Sequence, residues 1–320
     1  MQKQKIDFQK LLAPLALILL YALFSVFGRN FFSLSTLVSI LDSTYYVGFM
    51  AFGVTFIIIS GGIDLSLGTN MMMSALLGGY FIAKGMNIWL SLLFVVIMAT
   101  LVGFVNGFMI AVLKLPPFIA TLGMMMMNMG LGSILTKVQT QRFPSSFDEN
   151  GFYKSVFYKT SVGFPSGIIY MLLFFVIAII VLNKTRLGRY TYAIGSNEES
   201  VRLSGVNVVF WKIIIYTLSG LFCGLSAIVY ASTYTTIVPG TGNGQEMNAI
   251  AAVIIGGTSM SGGVGTLTGT LIGALLMSVL KTGLMSMNLP GHYQTFFTGL
   301  VVVLAVLLDN YRNKRAEAAK

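Results

Sequence analysis

Charge is what this sequence has least of. Charged residues hold 9% of its 320 positions, against about 25% in an ordinary soluble domain. Hydrophobic residues hold 56%, more apolar surface than one aqueous core of this size can hide. A soluble globular domain is therefore excluded, and lipid is the natural solvent. The one cysteine, Cys223, excludes an intrachain disulfide and reads as a small buried residue in an apolar run. The one histidine, His292, excludes a multi-histidine metal site and reads as an interfacial residue. No Cys/His cluster suggests metal ligation, and no serine, histidine and acid order supports nucleophilic catalysis. No Gly-x-x-x-x-Gly-Lys-Ser/Thr string occurs, so the chain lacks the usual ATP site. No cofactor is implied. A cleavable signal peptide is not expected either. Residues 1–10 are polar and basic, but the apolar run after them lacks a small-residue cleavage site and is long enough to span.

What is present is a series of apolar runs, each near the roughly 20 residues that a membrane-spanning helix needs. The runs predict an all-α integral membrane protein of about ten transmembrane helices, forming one domain over residues 1–320. The expected spans are 11–27, 37–60, 65–83, 88–113, 118–136, 166–182, 208–232, 246–260, 267–285 and 293–308. The eighth is short and glycine-rich, so a broken or incompletely crossing helix is expected there. Between the fifth and sixth lies the longest loop, the polar stretch 137–163. Between the sixth and seventh lies a charged segment, 183–207. Thirty-five glycines accompany these runs, as is common where helix backbones pack closely in membranes.

The net charge of +10 sits in short loops between apolar spans, so it speaks of membrane topology rather than of nucleic acid. With the N-terminus inside, thirteen of the twenty Lys and Arg fall on the inner side and six on the outer, with Lys281 inside the ninth span. This bias predicts both termini in the cytoplasm and the loop 137–163 outside.

Two internal echoes stand out. Gly61-Gly-Ile-Asp-Leu-Ser-Leu-Gly68 is similar to Gly256-Gly-Thr-Ser-Met-Ser-Gly-Gly263, and Leu115-Pro116 recurs as Leu289-Pro290. Internal repeats mark many transporter folds. Here the first echo pairs spans that run the same way and the second pairs spans that run oppositely, so the two conflict.

Three segments stand out as functional candidates. In the first, Gly61 and Gly62 permit a sharp turn, and Asp64, assisted by Ser66, is placed to cap the next helix start. An acidic residue at membrane depth is also a functional hypothesis in its own right, so a cap and a role in solute passage or proton relay both remain open. The second is the charged segment 183–207. It begins with three cations and continues as a short amphipathic helix. Ser196 or Asn197 caps it, Glu198 and Glu199 stand in its first turn, and Gly205 ends it. Such a helix suits docking, and a solvated loop is the alternative. The third, Gly256 to Gly265, reads as close helix packing or a re-entrant turn. The methionine runs 71–73 and 124–127 read as flexible apolar packing.

Taken in order, the strings Gly61–Gly68, Pro117-Phe-Ile-Ala-Thr-Leu-Gly123, Thr185-Arg-Leu-Gly-Arg189, Tyr192-Ala-Ile-Gly195, Leu203-Ser-Gly-Val-Asn207 and residues 249–263 resemble the ribose-type sugar ABC importer permeases. Residues 300–309 are similar to that family's closing span. The resemblance implies a permease subunit in a prokaryotic inner membrane, paired with a second permease, alike or identical. It implies ATP-binding cassette ATPase subunits on the cytoplasmic face and a sugar-binding protein on the other. The family's coupling helix falls on residues 197–207, which assigns ATPase coupling to Asn197, Glu198, Glu199, Arg202, Ser204 and Gly205. The missing ATP site then belongs to another chain. The loop 137–163 carries no motif of the family and faces the binding protein. Asp64, Asn106, Asn128, Thr121 and Ser74 are candidate pathway groups, with Gly61, Gly62 and Ser66 at the helix break. The rivals are an ion-coupled secondary transporter, with Asp64 as its coupling carboxylate, and a membrane enzyme or scaffold.

Overall fold

The structure is a computed structural model that describes residues 8–159 and 163–318. Most of the polar leader (1–7), the end of the basic tail (319–320) and part of the long loop (160–162) lie outside the described residues. The chain runs through α1 (Phe8–Phe27), α2 (Leu34–Ile59), α3 (Leu67–Ala83), α4 (Ile88–Ala111) and α5 (Pro117–Leu135). A strand, β1 (Gln141–Arg142), and the short α6 (Phe152–Phe157) follow. Then come α7 (Gly167–Lys184), α8 (Arg186–Ser196), α9 (Glu198–Leu203), α10 (Val208–Tyr234), β2 (Thr236–Ile237), α11 (Gln245–Ile255), α12 (Leu267–Ser286) and α13 (Gly291–Ala318).

Helix starts follow local chemistry. Ser33, Asn87, Asn207 and Thr266 each accept a backbone N–H from the first turn of the helix they precede, which satisfies donors the helix leaves orphaned. Pro117 opens α5 at the position where a missing N–H costs nothing.

Seven helices are long and apolar enough to cross a membrane: α2, α4, α5, α7, α10, α12 and the first 21 residues of α13. The other three of the ten expected spans fall on shorter apolar helices, the apolar part of α1 (Ala13–Phe27), α3 and α11. At 1.5 Å per residue, the 11 residues of α11 rise only about 16 Å, roughly half of a ~30 Å hydrocarbon layer.

α2 is the central post. Every residue from Ser43 to Ser60 is buried. α10 packs on it and on α4, and glycines make the second contact possible. A Cβ on Gly103 would collide with the Tyr216 carbonyl, and one on Gly220 with the Ala99 carbonyl, so the two backbones meet as only small residues allow. α12 lies on the other side of α2, where Thr55 and Thr270 share a 2.9 Å hydroxyl bond. Large apolar side chains on α4, α5, α7 and α13 point outward, among them Leu101, Ile134, Ile177 and Leu304. This surface suits lipid or a membrane partner rather than water.

The described residues of the loop 137–163 carry more regular structure than their composition suggests. β1 pairs antiparallel with β2, Gln141 opposite Ile237 and Arg142 opposite Thr236. The Tyr158 hydroxyl donates to Asp42 Oδ2 at 3.1 Å. The β1–β2 pair therefore marks one end of the bundle, and α8 and α9 mark the other.

The structure separates the two echoes. Lys114 and Asn288 both take the left-handed conformation, with φ of 55° and 58°, one residue before Leu-Pro. Sliding the chain so that Lys114 falls on Asn288 lays α2 on α10, α3 on α11, α4 on α12 and α5 on α13. Paired elements run in opposite directions across the bundle, so the Leu-Pro echo belongs to an inverted repeat of four helices. The glycine echo has a different origin. Gly61 and Gly257, with φ of 78° and 91°, each end a helix, with Gly61 N–H bonded to Ile58 O and Gly257 N–H to Ile254 O. The likeness is that of two helix C-caps, one position out of the register in which the strings align.

Candidate functional site

The break between α2 and α3 holds a buried polar cluster. Asp64 is 1% exposed. Its Oδ1 accepts the Ser66 N–H at 2.8 Å and the Ser66 hydroxyl at 2.7 Å. From α4, Asn106 Nδ2 donates to Ser66 Oγ at 2.8 Å and to Asp64 Oδ2 at 3.3 Å. Asp64 thus organises the turn that leads into α3, while Ser66 stands at the N-cap position without a side-chain bond of its own to the helix. α10 holds the same turn from its other side, where Tyr216 and Cys223 donate to the carbonyls of Ile63 and Leu67. Gly61 uses its positive φ. Gly62 does not, but a Cβ there would press on the Tyr216 hydroxyl and Ile57.

Not every predicted pathway group joins this cluster. Asn128 donates to Thr69 Oγ1 at 3.4 Å, further along α3. Ser74 donates to Asn70, and Thr121 bonds back to the Pro117 carbonyl of its own helix. Asp64, Ser66, Ser74, Asn106, Thr121 and Asn128 are all between 0% and 2% exposed. Within this chain they are closed against water.

Two ionisable residues with no role in the sequence reading sit deep in the fold. Glu246, 2% exposed, lies in the first turn of α11, where its carboxylate accepts the Gly244 N–H and favours the helix dipole. Gly68 packs directly against Gly242 and Glu246, so the starts of α3 and α11 meet. Lys281 of α12 donates to the Tyr46 hydroxyl at 2.8 Å. Lys281 stands inside an apolar run and Glu246 at the edge of one, and that position was the available signal.

At the other end of the turn sits the charged segment. It forms two helices rather than one. Thr185 caps α8, and Asn197 Oδ1 accepts the Ser200 N–H at 2.9 Å to cap α9. Gly205, with φ of 82°, ends α9, and its N–H donates to Arg202 O. Ser204 bonds back to the Ser200 carbonyl. Ile194, Val201 and Val208 form a small apolar cluster backed by Tyr190 and Trp211, which fixes α9 against α8 and the start of α10. The charges are partly spent within the chain. Glu198 pairs with Lys212 at 2.6 Å, and Glu199 pairs with Arg202 at 2.6 Å. The most exposed large side chain of α9 is Leu203, 80% exposed, an apolar tip that the charge-based reading passed over.

α8 joins this surface to both helix breaks. Gly195 lies against the Ile59 carbonyl and the Gly263 amide. Gly263 N–H donates to Ile59 O at 2.8 Å, and the Tyr192 hydroxyl donates to Gly265 O at 2.7 Å. The turn 256–266 is held in addition by Asp309 of α13, whose Oδ2 accepts the Met260 N–H and the Ser259 hydroxyl. Through α8, α9 is thus joined by packing to the turns that open α3 and close α11.

Comparison with known proteins decides the family. The model of the branched-chain amino acid transport system permease component matches residues 36–306. The chain belongs to this permease family. It is 37% identical over 299 residues to the ribose import permease protein RbsC of Escherichia coli K12, covering 92% of each chain. It is 37% identical over 310 residues to RbsC of Bacillus subtilis, covering 95% of this chain and 94% of the other. The fructose import permease protein FrcC of Rhizobium meliloti is 35% identical over 295 residues, 91% of this chain and 82% of that one. No solved structure matches. The resemblance read from the motifs is borne out: the permease is a multi-pass inner-membrane protein of the ABC importer class.

Proposed function

We propose that this permease is the transmembrane subunit of an ATP-driven sugar importer, that it builds the translocation path with a second permease, and that α9 couples it to separate ATPase subunits. Three named relatives that import ribose or fructose, matched over nearly their whole length, support sugar as the cargo. The observation that carries the coupling reading is the packing of Gly195 between Ile59 and Gly263. It ties the only pair of short amphipathic helices among the described residues to the two breaks in the spanning bundle. In this reading the α8–α9 end and both termini are cytoplasmic, as the distribution of Lys and Arg favours. The β1–β2 end faces an extracytoplasmic sugar-binding protein. Residues 197–205 dock on the ATPase through Leu203 and the Glu199–Arg202 pair, while the Glu198–Lys212 bond braces the helix from behind. The ATPase subunits carry the ATP chemistry, and residues 1–320 act as one permease domain.

Purification of the tagged chain from its native host in mild detergent tests this, with mass spectrometry of what accompanies it. An ATPase subunit near one-to-one stoichiometry is the expected result. A preparation free of ATPase, even after crosslinking, would refute it and turn attention to ion coupling through the buried carboxylates of Asp64 and Glu246.

A further inference from the structure

A cavity of about 380 Å³ opens between α11, α12 and α13. It borders neither the Asp64 cluster nor α9. Gln245 and Asn248 reach it from the start of α11, Lys281 and Leu284 from α12, and Gln294 and Thr298 from α13. Amides and hydroxyls gathered between apolar helices are costly in lipid and mark a place where water or a polar solute stands.

The chemistry of the wall is selective. Amide and hydroxyl groups offer donors and acceptors together, as a polyhydroxylated solute requires. Lys281 adds a donor, oriented by its 2.8 Å bond to the Tyr46 hydroxyl, and Tyr46 is fixed in turn by edge contacts with Tyr230 and Tyr234. No Asp or Glu lines the cavity among the described residues. An amino acid's ammonium group would meet no carboxylate among the lining residues and would stand beside the Lys281 cation. The volume lies at the small end of the ~300–1,000 Å³ typical of ligand sites, which fits one small solute rather than an oligosaccharide.

We infer that this cavity is the solute-contact site of the translocation path, and that Lys281, Gln245, Asn248 and Gln294 hydrogen-bond the hydroxyls of an uncharged monosaccharide as it passes. The inference rests on the permease reading and supplies its missing site.

The test uses the intact importer, with its ATPase and binding protein, in proteoliposomes. In a Cys223→Ser background, single cysteines replace Asn248, Thr298 or the outward-facing Leu304. A membrane-impermeant methanethiosulfonate is the probe, so no knowledge of the solute is needed. Asn248→Cys and Thr298→Cys react at least tenfold faster than Leu304→Cys if the cavity is a wet path. Equal, slow reaction at all three overturns the inference. Lys281→Met and Gln294→Leu then raise the KM for radiolabelled ribose or fructose about tenfold, while ATPase activity without sugar persists. An unchanged KM in both variants overturns the contact role, and competition by leucine overturns the choice of solute. A complex that lacks ATPase-driven uptake altogether would instead refute the permease reading, which the thiol labelling distinguishes from failure of the cavity alone.

Discussion

Asn106 on α4 donates one amide group to both Ser66 and Asp64, at 2.8 and 3.3 Å, and so fastens a neighbouring span to the turn that opens α3. Asn106→Leu keeps the volume and removes both bonds in a fully buried setting. Stranding buried acceptors costs about 1–3 kcal/mol. A lower thermal midpoint in detergent is expected, with loss of uptake. An unchanged midpoint would show that Asn106 is not a fastener.

Asp64 separates the cap reading from the ion-coupled rival. Its Oδ1 accepts two bonds from Ser66, and an Asn amide oxygen can accept the same two. Asp64→Asn therefore retains a large part of uptake, and Asp64→Ala, which has no acceptor, loses it together with about 1 kcal/mol of stability. Complete loss of uptake in Asp64→Asn, with the fold intact, would favour a coupling carboxylate.

The contact between α4 and α10 depends on absent side chains. A side chain at Gly103 or Gly220 meets the backbone of the other helix. Gly103→Val forces the helices apart, and overpacking of this kind costs about 1–3 kcal/mol or more. The expected result is poor recovery of folded protein by size-exclusion chromatography. Gly123→Val, where a Cβ meets nothing within 4 Å, is the control that leaves recovery unchanged.

On α9 the surface tip and the brace behave differently. Leu203→Asp removes the exposed apolar tip and abolishes ATPase co-purification without altering insertion. Reversing Glu198 and Glu199 to Lys repels Lys212 and Arg202 and stops transport in the inserted protein. Gly205→Ala meets no neighbour, but its φ of 82° costs an L-residue about 1–2 kcal/mol, which tilts the end of α9 and lowers uptake. Glu198→Ala alone removes an exposed pair worth at most about 1 kcal/mol, so the fold survives. Normal uptake and ATPase binding in Leu203→Asp would remove α9 from the interface.

Much of this was legible in the sequence because lipid imposes a simple constraint. Backbone groups must be satisfied within each apolar segment, so run length alone located the helices, and glycine, asparagine and proline punctuation placed the ends of α5, α9 and α10 close to where they lie. The strings around Gly61, Arg189, Asn207 and Gly256 carried the family. The tertiary structure decided what depends on contact. A run of apolar residues does not reveal that α11 is half a span, because Thr236 to Gly244 spend length on strand β2 and a turn before the helix begins. Composition could not show that residues 141 and 237 pair across nearly a hundred positions. Asp64, Ser66 and Asn106 became one cluster only when α4 packed beside the turn, and Lys281 acquired a site only when α11 and α13 closed around it. Local chemistry determined the elements, and the approach of helices distant in sequence determined which polar groups among them came to share one environment.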